Sequence, residues 1–342
     1  MLLAANRAEL KADGILYPGT RGDAHHTAAW DLRGTPPQRQ GAGGIEGSWD
    51  KLVGRANAWT GEAVVVSSEL FVYCTDKQID TALAAFEAEV HVVYTARDLL
   101  RQVPAVWQER VKNQQTISYP DFVAAVRSGK GGGRGFWRAQ DAPAVIERWS
   151  RGLRPAQVHV VPAPPPAAPP TTLWNRFTSV FGRRGDAFQT EVGGSANSSM
   201  TMVQTELLRR YNARHGAALP WPVYRRTIRA EVDRSFPAAV SDRRKLTLPS
   251  ADRKFFEAAA LKAFEGLQRS GYAVAGDLDD LVPAPLPASP PTPSSGDDIG
   301  VVSDGEVVVA ALDVVHSLMT RQEGERAKRR EQRRARRRTG GS

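Results

Sequence analysis

EVHVVYTARDLLRQVPAVWQE, residues Glu89 to Glu109, is the stretch on which the fold turns. Its first part, VHVVYT (Val90 to Thr95), is a β-branched run of strand length. From Arg97 to Val111 the apolar residues then recur at helical spacing. Two similar runs flank it, AVVVS (Ala63 to Ser67) and QVHVV (Gln157 to Val161). Each is continuously apolar rather than alternating, the pattern of strands buried on both faces of a parallel sheet. Helical patterns lie between them: KQIDTALAAFEAE follows Asp76, a candidate cap, and places Ile79, Leu83 and Phe86 on one side. From Thr171 to Leu281 the chain reads as mostly helical, through LWNRFTSVFG, SMTMVQTELLRRYNARHG and SADRKFFEAAALKAFEGLQRSG. Strands alternating with helices predict an α/β fold, a doubly wound parallel sheet with right-handed crossovers and a helical C-terminal part.

Two Pro-rich breaks interrupt the 342 residues, VPAPPPAAPP (Val161 to Pro170) and VPAPLPASPPTPSSGDD (Val282 to Asp298). Such composition favours extended polyproline conformations and cannot build a core. The expected organisation is therefore an α/β domain over 1–281, a disordered linker over 282–304, and a helix with an Arg-rich tail over 305–342. That helix has a short stripe of Val308, Leu312, Val315 and Leu318. The formal charge of +9 is concentrated there: residues 321–338 hold ten Lys or Arg against three Glu, a local balance of +7. The basicity belongs to the tail, not to the domain.

The most apolar segment, Val301 to Leu318, contains Asp304, Glu306 and Asp313, so no membrane span is expected. MLLAANRAELK is too short and too quickly charged to read as a signal peptide. A single cysteine, Cys74, excludes an internal disulfide and a Cys-based zinc module. The expected location is cytoplasmic.

Arg97, opening the helix after VHVVYT, stands where open α/β sheets bind ligands, and Arg suits bidentate phosphate recognition. It could instead pair with Asp98. Ser67-Ser68-Glu69 ends the preceding strand, so Glu69 would look into the same crevice as a general base or a helix cap. His25 and His26 are adjacent, with no ligand-spaced carboxylate or cysteine, so no metal site is expected. GKGGGRG (Gly129 to Gly135) departs from a phosphate loop, because Gly131 follows Lys130 and no strand precedes it. It reads as a flexible surface loop whose Lys130 and Arg134 could close over an anion. Asn197-Ser198-Ser199 is read as the cap of the next helix, through Ser198 or Ser199.

Taken in order, these segments resemble the bacterial sulfotransferase-like family. The matching stretches are LAANRAELKADGILYPG (Leu3 to Gly19), VVVSSELF (Val64 to Phe71), Glu89 to Glu109, and FWRAQDAPAVIERW (Phe136 to Trp149). VHVVPAPPP with LWNRFTSVFG (Val158 to Gly182) and NSSMTMVQTELLRRYN (Asn197 to Asn212) complete the set, which covers about three quarters of the chain. The resemblance implies a P-loop-type sheet that binds 3′-phosphoadenosine 5′-phosphosulfate and passes its sulfuryl group to a hydroxyl or amine of a carbohydrate or small molecule. It puts Arg97 on the 3′-phosphate, and its usual serine partner falls on Ala105, so half of that motif is missing. It also implies a strand and a Gly-Lys-Thr loop before Leu3, which this sequence does not contain. Because that strand is central in such a sheet, its absence is expected to expose backbone edges on both neighbours. Either a start further upstream supplies the loop or the copy is inactive; the upstream start is the expectation. Glu69, His25 and His26 are the candidates for base or acceptor contact.

Other readings stand beside this one. A non-catalytic scaffold could act through residues 321–338 on nucleic acid or an anionic surface, by phosphate contacts alone. A nucleoside-phosphate kinase would require a Walker A lysine that is absent. Trp137, Trp149, Trp174 and Trp221 could stack on a sugar or simply fill the core.

Overall fold

The protein, as a computed structural model, is described over residues 2–35, 45–190, 200–216, 218–235, 246–283 and 302–339. It is a mixed α/β chain in which helix predominates. Two compact units share it. The first takes residues 1–103, 122–198 and 249–292, and the second takes 104–121, 199–248 and 293–342. The boundary expected near Leu281 thus coexists with a deeper division: 104–121 and 199–248 group with the C-terminal helix.

In the first unit every strand pairing is parallel. β1 (Ile15–Leu16) pairs with β2 (Ala63–Val64). β3 (Val92–Ala96) pairs with β4 (Val158–Pro162), Val92 opposite Val158, and β4 pairs with β5 (Ala273–Val274). The three β-branched runs each form a strand. They do not form one continuous doubly wound sheet among the described residues, because β1–β2 and β3–β4–β5 are separate ladders. β4, with a neighbour on each side, buries Val158, Val160 and Val161 as a continuously apolar strand should. β3 is an edge strand and alternates instead: Ala96 is buried, whereas Val93 is 37% exposed. Its apolar run therefore covers one face only.

Two helices join the β3–β4–β5 ladder to the rest of the unit, and the second of them reaches both ladders. Along Ala142–Trp149, Ile146 sits with Ala96, Val158 and Val160. Three residues later Trp149 meets Phe71 edge-on and joins the cluster of Ala28, Trp49 and Leu52. Along Thr172–Ser179, Trp174 packs with Leu10, Ile15 and Phe188. Two residues on, Arg176 donates to the Pro162 carbonyl at the end of β4 and pairs with Asp280. Burying four or five such large side chains supplies on the order of 10 kcal/mol, which ties the ladders into one unit. Cys74 is fully buried, and burial pushes its thiol up to about 11 despite the arginines nearby.

Local signals correct several expected boundaries. Thr75, not Asp76, caps the helix Asp76–Ala84: its hydroxyl accepts the Gln78 N–H while Gln78 reaches back to the Thr75 N–H. Asp76 sits inside the first turn, where its charge favours the helix N-terminus. That helix stops before Phe86, which still packs edge-on against Trp49. The helix after Arg97 spans Leu99–Lys112, with Asp98 accepting the Leu100 N–H. Thr201 caps Met202–His215 with Gln204 as its reciprocal partner. The proposed caps Ser198 and Ser199, and all of Asn197 to Ser199, lie outside the described residues, as does most of the linker expected over 282–304.

The Gly-rich stretch is a helix corner rather than a flexible loop. Gly129 and Gly131 take positive φ between the helices Tyr119–Ser128 and Gly132–Gln140. Gly133 is buried, and a Cβ there would lie 1.8 Å from the Ala125 carbonyl oxygen. The two backbones approach because that residue has no side chain.

In the second unit Trp107, Val111, Leu208 and Tyr224 are buried together with polar groups that are all satisfied. Asn212 donates to the Val111 carbonyl and accepts from the Tyr224 hydroxyl. The C-terminal helix, Asp304–Thr339, turns Val307 and Ala310 inward, one register away from the expected stripe; Val308, Leu312 and Val315 face out. Its inward side is fixed by buried Glu231. Burial opposes that carboxylate's charge, but Ser317, Arg234 and Arg321 outweigh it and hold its pKa below the ordinary value. No described helix is long and apolar enough to cross a membrane.

Gly133→Ala should lower stability in urea melts by about 3 kcal/mol, as overpacking against rigid backbone does. Lys130→Ala, on the exposed side of the same corner, should change it by less than about 0.5 kcal/mol. Equal, small effects would mean that the corner is loose.

Candidate functional site

The carboxyl ends of β1 and β2 are joined through one buried histidine. β1 continues into Tyr17-Pro18, and β2 into an extended segment ending at Ser67-Ser68-Glu69. His25, in the helix Ala24–Arg33, has Nε2 2.8 Å from the Pro18 carbonyl oxygen. A carbonyl only accepts, so Nε2 carries the proton and Nδ1 receives the Ser67 N–H at 3.2 Å. The ring also stacks on Tyr17, centroids 3.9 Å apart. Burial pushes His25 down to about 4, against the help of the Pro18 hydrogen bond. With both nitrogens engaged, His25 cannot act as a base; among the three expected base candidates it is the scaffold.

His26, one residue on, points elsewhere, as adjacency on a helix requires. Its Nε2 lies 2.8 Å from Glu69 Oε1, across 43 residues of sequence. The hydrogen bond from Glu69 raises the His26 pKa, and the same bond lowers that of Glu69. Because the carboxylate accepts, neutral His26 keeps its proton on Nε2 and offers the Nδ1 lone pair. Both side chains are well exposed, 47% and 74%, so the pair contributes little to stability. It is nonetheless an oriented imidazole beyond the carboxyl ends of β1 and β2. Ser68 caps the turn Glu69–Tyr73 by accepting the Leu70 N–H.

Arg97 follows β3. It makes no hydrogen bond or ion pair among the described residues, and burial with Arg101 beside it disfavours its charge. The alternative of an Arg97–Asp98 ion pair does not form: Asp98 favours the Arg97 charge from nearby but holds Arg101 at 3.3 Å and caps the next helix. Arg101 is further occupied by the Ala163 and Pro164 carbonyls. Ala105 lies in that helix just after Pro104 and offers no hydroxyl. Lys130 and Arg134 are exposed at the helix corner. Trp137 and Trp174 direct their indole N–H groups to the Val126 and Gly185 carbonyls, so both are packing residues.

Tyr17 and Arg7 belong to the site although the sequence reading left them out. Arg7 donates to the Tyr17 carbonyl, its guanidinium 5.3 Å from the phenol ring, and burial raises the Tyr17 pKa. The one sequence signal was LYPG after a strand of two residues, too short for any periodicity. No group of three or more His, Cys, Asp or Glu is disposed to hold a metal among the described residues. No family model matches the chain, and neither a curated protein nor a solved structure matches it.

The two histidines give opposite pH signatures. Unfolded His25 titrates near 6.5 and the folded ring near 4, so folded protein binds fewer protons between them. Its contribution is complete above pH 6.5 and fades as pH falls toward 4, by up to about 3 kcal/mol. His25→Phe should therefore flatten the pH dependence of stability across that window, measured against the parent chain. For His26, folded pKa is raised, so the extra stability of its charged pairing with Glu69 is present at low pH and is lost as pH rises through that value. Glu69→Gln should bring the His26 ring titration, followed by NMR, back down toward 6.5; an unmoved titration would mean that the pair does not form in solution.

Proposed function

We propose that the first unit is a sulfotransferase-like domain that takes 3′-phosphoadenosine 5′-phosphosulfate, with Arg97 on the 3′-phosphate. The observation that carries this reading is the guanidinium of Arg97 beyond the carboxyl end of a parallel strand, with no hydrogen bond or ion pair among the described residues. A dianionic phosphate would restore what desolvation removes, through two parallel hydrogen bonds. In this reading the His26–Glu69 pair is the candidate contact for the acceptor, with the Nδ1 lone pair offered to a hydroxyl or amine.

The residues fit one half of the donor only. The single Gly-Lys pair in the sequence, Gly129-Lys130, closes a helix corner, and no strand leads into it. Nothing among the described residues cradles the 5′-phosphosulfate, so no transfer step is derived. That mismatch favours a second reading, a non-catalytic scaffold in which Arg97 holds a phosphate ester without turnover.

Titration calorimetry with adenosine 3′,5′-bisphosphate and adenosine 5′-phosphate tests the assignment. The parent chain should prefer the bisphosphate by about tenfold or more, and Arg97→Ala should abolish the preference, as loss of a charged hydrogen-bond pair does. Equal affinity of the parent chain for the two nucleotides, or a preference that survives Arg97→Ala, overturns it.

A further inference from the structure

The C-terminal helix has two apolar faces, and only one is used. Val307, Ala310 and Ser317 face the second unit, with Arg321 on Glu231 ending that contact. On the opposite side Val308, Leu312, Val315 and Met319, at steps of four, three and four, are 57, 62, 51 and 61% exposed. Four aliphatic side chains in a row that face away from the unit they grow from are not core. The same stripe then changes chemistry without changing direction. Arg326 and Arg330, both exposed, fall at steps of seven and four beyond Met319, and the sequence continues the spacing to Arg333 and Arg337. One face of a single helix is thus aliphatic from Val308 to Met319 and, past Gln322 and Glu323, carries Arg326 and Arg330, inside a segment of local charge +7.

We propose that this face lies on an anionic lipid bilayer. The aliphatic half would enter the boundary between headgroups and acyl chains, while the arginines, continuing along the same line, would meet lipid phosphates. The two signals together are what reversible attachment to a surface requires, since either alone binds weakly. The pattern argues against the other partners of a basic helix. Nucleic acid has no use for a stripe of Val, Leu and Met beside its phosphates, and residues 321–338 contain no aromatic side chain for stacking. A second copy in parallel register would set arginine against arginine along the seam, which is destabilising. This inference is independent of the donor site in the first unit.

The test uses the full chain and vesicles of phosphatidylcholine alone or with 30% phosphatidylserine, a composition set by the experiment. The chain should co-sediment with the anionic vesicles only, and less as salt rises. Leu312→Gln with Met319→Gln, both exposed and so neutral to folding by circular dichroism, should weaken partitioning by about tenfold or more. Arg326→Ala with Arg330→Ala should weaken it about thirtyfold, at roughly one surface charge interaction each. Three results would overturn the proposal. One is no binding to anionic vesicles. Another is binding indifferent to the Leu312 and Met319 replacements, with tighter binding to an RNA or DNA duplex. The third is a dimer in sedimentation equilibrium without lipid that those replacements dissociate.

Discussion

The neutral imidazole of His25 is the constraint on which the candidate site rests. It donates to the chain leaving β1 at Pro18 and accepts from the chain leaving β2 at Ser67, so two loops far apart in sequence are fixed by one ring. β1 and β2 are only two residues long and share a correspondingly short ladder. A side chain that satisfies a carbonyl on one and an amide on the other extends their pairing beyond the ladder. The next residue inherits the result: with His25 turned inward and immobilised by stacking, His26 is delivered to Glu69. Scaffold and chemistry are therefore divided between neighbours, one buried and uncharged, the other exposed and basic.

Electrostatics at the end of β3 follow a similar division. Arg97 and Arg101 stand one turn apart, but Arg101 is neutralised by Asp98 and two carbonyls. A guanidinium remains protonated at any physiological pH. Arg97 therefore keeps a full charge where burial disfavours it, with only the nearby charge of Asp98 in its favour and no hydrogen bond or ion pair of its own among the described residues.

Some of this was legible in the sequence and some was not, for physical reasons. β4 and the helices Met202–His215 and Ser250–Arg269 follow from periodicity, because their own residues carry enough burial to show it. β1 and β5 have two residues each, which no period can mark. The stripe of Val308, Leu312 and Val315 in the C-terminal helix was legible, but the side it faces was not, because Val307, Val308 and Val309 are all apolar. Which of them turns inward is decided by Glu231 and its partners, not by composition. Likewise GKGGGRG has the composition of a loop, yet Gly133 is there because the Ala125 carbonyl leaves no room. Arg97 could be located from its place after a strand, whereas the His26–Glu69 bond joins residues that nothing in the linear order connects.

The burial of Cys74 has a practical consequence. The chain has one thiol, fully enclosed in the first unit, and burial raises its pKa far enough to leave almost no thiolate at neutral pH. An alkylating reagent can react only when that region opens, so the labelling rate at saturating reagent reports opening events, residue-specific and without an engineered probe. Because the second unit contains no cysteine, its motions are silent in the same measurement. The chain thus carries its own selective clock for the breathing of the unit that holds the candidate site.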